Sequence, residues 1–156
     1  MSFYILTIPF VLQGLAMFFD EFYYHRKRGL PLWEIIGHPA DTVCFLACFL
    51  FIKYQIPNLE NLYIFIGLSL VSSLIVTKDE CVHSKLCSIG EMWLHSVLFI
   101  LHSLTLISAG VLWWYAKELG ASSVFDQIVS IQSCIIVFFM AYQILYWSIP
   151  WKKTRS

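Results

Sequence analysis

Apolar residues fall into five runs, 3–24, 39–54, 62–76, 91–115 and 124–147, with short polar stretches between them. A helix that crosses a bilayer needs about 20 mostly apolar residues. The third run is short by that measure. It is expected to continue as helix through Asp79 and Glu80, giving predicted spans of 3–24, 39–54, 62–83, 91–115 and 124–147. The pattern therefore predicts an all-α, polytopic membrane helix bundle, with residues 1–156 forming one integral membrane domain.

The connections are short. In HRKRGLPLWEIIG, PLWEII reads as a short interfacial helix, with Pro31 in its first turn and Trp33 at headgroup level. Gly37-His38-Pro39 would then start helix two, with Pro39 at its first position. Pro57 and Asn58–Asn61 turn the chain towards helix three, and 117–123 turn it towards helix five. The first run has no basic leader and no small-residue cleavage motif, so a retained helix is expected.

Basic residues orient the spans. Arg26, Lys27, Arg28, Lys78, Lys85, Lys152, Lys153 and Arg155 share one side if the spans alternate; Lys53 and Lys117 take the other. The excess of Lys and Arg on cytoplasmic loops predicts an outside N-terminus and a cytoplasmic C-terminus. The expected location is an inner (plasma) membrane of bacterial type.

Composition agrees. The chain is 59% hydrophobic and 13% charged, with a mean hydropathy of +0.73, against about 45–50% and about 25% for soluble domains. A net charge of zero gives no reason to expect nucleic acid as a partner. Five cysteines without a paired Cys-x-x-Cys motif fit neither a disulfide scaffold nor a zinc ribbon. Cys44, Cys48 and Cys134 read as small apolar packing residues, whereas Cys81 and Cys87 lie among polar groups.

The polar residues are distributed unevenly. Asp20, Glu21 and His25 end helix one; His38 and Asp41 begin helix two. Asp79, Glu80 and His83 end helix three; Glu91 and His95 begin helix four, with His102 further in. All five histidines, and seven of ten carboxylates with Glu34 included, thus gather towards one end of four helices. FDEFYYH, GHPAD, KDECVH and GEMWLH each set an acid three or four residues from a histidine, on one helix face. His102 is two turns beyond His95, roughly 10 Å deeper.

Ionisable side chains at the centre of a membrane cost about 2.5–3.5 kcal/mol each. A metal ion offsets that cost by binding carboxylates and neutral imidazoles together. Glu21, His25, His38, Asp41, Glu80, His83, Glu91, His95 and His102 are the candidate ligands. Asp20 and Asp79, each about 100° round the helix from the preferred glutamate, are expected in an outer layer or on another ion. Asp41 could equally serve by opposing its helix dipole. Glu34 reads as a solvated interfacial charge. Oxygen and nitrogen donors suit iron, manganese or zinc. Helix five carries no histidine, its one acid, Asp126, lies near its outer end far from the cluster, and Phe125, Phe138, Phe139, Tyr142, Tyr146, Trp147 and Trp151 suggest that it braces the other four.

With these motifs the chain resembles integral-membrane di-iron enzymes such as lipid desaturases and hydroxylases, and also the carboxylate-bridged di-iron four-helix proteins. The resemblance covers the ends of helices one to four. It implies two irons, oxygen activation beside lipid chains, a lipid or other apolar substrate, and an electron donor as partner. The desaturase boxes His-x-x-x-His and His-x-x-His-His are absent, so Glu21, Glu80 and Glu91 would replace missing histidines. The competing expectations are a zinc-dependent membrane hydrolase, a metal or proton transporter or binding module without catalysis, and a bis-histidine haem protein.

Overall fold

A computed structural model describes residues 3–79, 86–116, 118 and 120–147. The chain forms five helices long and apolar enough to span a membrane: α1 (Tyr4–Arg28), α2 (Leu32–Tyr54), α3 (Leu59–Val76), α4 (Ile89–Tyr115) and α5 (Ser122–Trp147). No strand occurs among the described residues. The protein is a helical bundle, as the five apolar runs predict.

Local chemistry sets the helix ends. The Asn58 side chain accepts from the Asn61 N–H at 2.8 Å and starts α3. Ser88 does the same for Glu91 at 3.3 Å and starts α4. Gly29, at φ +79°, reverses the chain between α1 and α2, a backbone state that costs glycine little.

Two boundaries differ from expectation. PLWEII is not a separate interfacial helix, and Pro39 does not begin helix two. One helix runs from Leu32 with Pro39 in its interior, and Pro31 stands at its N-cap. Proline leaves the Ile35 carbonyl without its helical N–H. The helix persists because its first turns are anchored in the bundle, where Glu34 and Gly37 are buried. The other difference lies in α3, which ends at Val76 and passes into a tighter 3₁₀ turn, Thr77–Asp79. The expected continuation through Glu80 to His83 lies outside the described residues.

α2 packs on α5, α3 and α4; α1 packs on α4, and α3 also lies against α4. The core joins Phe45, Phe49 and Ile52 of α2 to Leu106 and Trp113 of α4 and Ile136 of α5. Val11, Leu15, Leu70, Leu74, Ile107 and Leu145 point outwards, the surface a spanning bundle presents to lipid. Helix contacts within a membrane depend on close packing between small and large residues. Gly110 is such a point, since a Cβ there would lie 2.7 Å from the Phe65 ring. Phe65 is itself buried, beside Trp113. Gly110→Ala should therefore destabilise the bundle by about 1–3 kcal/mol, read as a lower unfolding midpoint in detergent, with Gly67→Ala, which meets nothing within 4 Å, as the near-neutral comparison.

Candidate metal centre

With five antiparallel helices joined in sequence, the ends of α1, α3 and α5 and the starts of α2 and α4 lie together. The last part of α1 is unusual. Asp20–His25 forms a π-helical turn, in which the hydrogen bonds run from residue i to i+5. Asp20 and His25, five apart, therefore reach the same side of the helix. Glu21 and His25, four apart, also remain in contact.

Asp20 takes the inner position. Its Oδ1 lies 3.0 Å from His95 Nε2, and its Oδ2 lies 3.3 Å from His25 Nε2. This reverses the expected order of the pair, in which Glu21 was the ligand and Asp20 the outer residue. The wider π turn is the physical reason. Glu21 sits behind His25, 3.3 Å from its Nδ1. Two residues of α5 hold that carboxylate: Trp147 Nε1–H donates to Oε1 at 2.6 Å, and Gln143 Nε2–H to Oε2 at 3.2 Å. Gln143 in turn accepts from the Thr42 hydroxyl at 2.9 Å. Helix five thus packs on α2 and also positions a site residue, although it brings no acid or histidine to the centre.

Asp20, His25, Glu91 and His95 form one donor group, with one ligand atom from each lying within 4.8 Å of the others. Donors about 2.1 Å from a shared ion stand about 3.0 Å apart at a right angle and about 3.4 Å apart in a tetrahedron. The two contacts of Asp20, one from each carboxylate oxygen, are near those separations, which are also hydrogen-bond lengths. His25, Glu34 and His38 form a second, overlapping group. His38 Nε2 is 3.8 Å from Glu34 Oε2, and the rings of His25 and His38 lie 4.8 Å apart.

Glu34 corrects another expectation. It is fully buried rather than solvated. Arg28 makes a fork onto it, with Nη2 2.7 Å from Oε2 and Nη1 3.4 Å from Oε1, and also gives Nε–H to Glu91 at 3.0 Å. Ser88-x-x-Glu91 has the spacing of a capping box, yet this glutamate turns to Arg28.

The other candidates part company. Asp41 pairs with Lys78 at 2.5 Å and belongs to neither donor group. His102 lies deeper, between Gln13 and Ser72, and is likewise outside both groups. Glu80, His83 and the side chain of Asp79 lie outside the described residues, so the expected approach of Glu80 and His83 to Glu91 and His95 does too, as does Trp151 of the aromatic set. Cys87 is beside the centre, and burial pushes its thiol up to about 12. It stays protonated and is a poor nucleophile.

The groups border a cavity of about 470 Å³, within the range of small-molecule sites. Asp20, His25, His38, Asp41, His95 and His102 line it together with apolar Phe45, Phe99 and Ile100. Phe99 and Ile100 are on the outer surface of the bundle, so the chamber reaches that surface.

Sequence spacing singled out His25, His38, Glu91 and His95, which fall in the donor groups. It missed Arg28, Gln13, Ser72, Gln143 and Trp147. Arg28 was visible as part of a basic run, but the four neutral residues look like ordinary members of apolar helices. No protein-family model matches the chain, and neither a curated protein nor a solved structure is detectably similar to it.

Proposed function

We propose that this integral membrane protein binds iron at Asp20, His25 and His95, with Glu91 beside them, and acts as an oxidoreductase on a lipid or other apolar substrate. The observation that carries the reading is the state of His25. Its Nδ1 faces the Glu21 carboxylate, which can only accept, so the Nδ1 proton lies there. The Nε2 atom is buried, with no hydrogen-bond partner among the described residues, and is 3.3 Å from Asp20 Oδ2. An imidazole with a carboxylate at each nitrogen calls for positive charge between Nε2 and Asp20, which a second ring proton or a metal cation supplies. Asp20 and Glu21 also touch imidazole, amide and indole groups, with no Lys or Arg within ion-pair distance among the described residues.

Two imidazoles and one carboxylate, with free positions towards a cavity, are the donor set of non-haem iron oxygenases. When bound, such an ion supplies dioxygen activation. The chain's own residues hold it and exclude competing reactions. Glu21 fixes the tautomer and orientation of His25, while Trp147 and Gln143 fix Glu21. The apolar wall admits an acyl or similar chain from the bilayer and keeps bulk water out. His25 is common to both donor groups, and one neutral imidazole offers one lone pair, so the described residues supply one ion. A second would draw on Glu34 and His38. The basic-residue asymmetry supports a cytoplasmic position for this end of the bundle, within reach of a soluble electron donor.

Protein purified in detergent should hold one iron per chain, or two if the second group is filled, and should consume oxygen with a reductant and an apolar substrate. Folded protein that takes up no iron after reconstitution with Fe(II) would overturn the proposal. Turnover with zinc, without oxygen or reductant, would replace it with the hydrolase reading.

A further inference from the structure

The deep end of the cavity holds polar groups that the metal reading does not use. Gln13 of α1, Ser72 of α3 and His102 of α4 meet inside the bundle, and all three are buried. The Gln13 amide nitrogen lies 3.5 Å from His102 Nδ1, and the Ser72 hydroxyl lies 3.0 Å from His102 Nε2. Phe45 covers one face of the imidazole, with ring centroids 4.5 Å apart. With the Gln13 amide nitrogen towards His102, the contacts are satisfied when Nδ1 accepts from Gln13 and the Nε2 proton goes to Ser72. Gln13 Oε1 is then an acceptor with no donor among the described residues, although the side chain is only 3% exposed. Gln13 and His102 both line the chamber.

A buried carbonyl oxygen without a donor costs about 1–3 kcal/mol. Buried polar groups usually find a partner in protein, water or ligand, and Gln13, unlike Ser69 or Thr105, lines the chamber. Most of the surrounding wall is hydrocarbon, and Met17, Phe45 and Phe99 offer no competing donor. A ligand complementary to this end of the chamber is apolar with one hydrogen-bond donor, and an O–H is the simplest such group.

We propose that the deep end of the cavity is a binding subsite for the hydroxyl of an otherwise aliphatic alcohol, with Gln13 Oε1 accepting its hydrogen bond and His102 holding the Gln13 amide in place. The inference builds on the cavity as a substrate chamber and names the chemistry of what enters. The hydroxyl sits by Gln13, and the chain runs past Phe45 towards the donor groups. His95 and His102 are two turns apart on α4, roughly 10 Å, so the hydroxyl is an anchor and the reacting carbon lies elsewhere along the chain. On this assignment Gln13 binds the ligand directly and His102 is a positioning residue that acts through it.

The test uses the full chain in phosphatidylcholine nanodiscs and two tritiated probes, 1-dodecanol and its methyl ether, with empty nanodiscs giving the bilayer background. The ether keeps the chain and the oxygen but has no hydrogen to donate. The wild-type chain should show one saturable site for the alcohol and bind the ether about tenfold more weakly, the worth of one hydrogen bond. Gln13→Leu should lower alcohol binding to the level of the ether. Equal binding of the two probes by the wild type would overturn the proposal without any variant, as would a Gln13→Leu chain that still prefers the alcohol. Iron content measured on the same samples separates the two readings. Alcohol preference in a chain that takes up no iron would sink the metal centre and leave this subsite standing; iron without alcohol preference would do the reverse.

Discussion

Arg28→Met should destabilise the bundle by about 3–5 kcal/mol, the cost of removing one partner from a buried ion-pair cluster. Arg28 is the tie between three helices: it ends α1, forks onto Glu34 in the first turn of α2, and reaches Glu91 in the first turn of α4. Its side chain is 17% exposed, but the two carboxylates are at 0% and 2%. Without the guanidinium, both acids keep their burial and lose a charge-assisted partner. Arg28→Lys should recover only part of the loss, because an ammonium cannot serve the fork and Glu91 together. The triple variant Arg28→Met, Glu34→Gln, Glu91→Gln should recover most of it, since neutral amides are far cheaper to bury than unpaired carboxylates. Unfolding titrations in mixed micelles, followed by far-ultraviolet circular dichroism, give the comparison. A loss below about 1 kcal/mol for Arg28→Met would mean that the cluster behaves as a surface ion pair.

That three-helix tie also explains which parts of the structure can be read from sequence. The five spans follow from the length of the apolar runs, because a bilayer imposes one length scale on all of them. The start of α2 does not. Gly37 and Pro39 carry the local signals of a break, whereas the Arg28–Glu34 pair holds the preceding turns inside the bundle. A contact made across the Gly29 reversal leaves no periodicity to detect, and for the same reason Glu34 resembles a solvated charge. Within the centre, spacings of three and four identified His25, His38, Glu91 and His95, all of which fall in the donor groups. The same spacing ranked Glu21 over Asp20, since it assumes an α-helix of 3.6 residues per turn. Nothing in DEFYYH announces the π turn that brings residues five apart together. Gln13, Ser72, Gln143 and Trp147 are harder still. Each is a neutral residue in an apolar run, and only its neighbours on other helices give it a role.

His25→Ala should remove the bound iron and, with it, oxygen consumption. His25 is the histidine common to both donor groups. Its Nε2 faces Asp20 while its Nδ1 is held by Glu21. Loss of a residue that only supports a ligand lowers metal affinity by about 10–100-fold, so loss of a ligand should exceed that. Iron per chain, measured after dialysis against a weak chelator, should fall from one or more to a background level. Asp41→Asn supplies the contrast. Asp41 lines the same cavity but pairs with Lys78 and lies outside both donor groups, so that variant should keep its iron. A general acidic cluster that collects cations loosely would instead lose affinity in both variants. Truncation to alanine also leaves a ring-sized space beside Asp20, with Glu21 still held by Trp147 and Gln143. Free imidazole at millimolar concentration should enter that space and restore iron binding to His25→Ala, which a merely unfolded chain could not do. Iron retained by His25→Ala without imidazole would remove this histidine, and the centre built on it, from the metal reading.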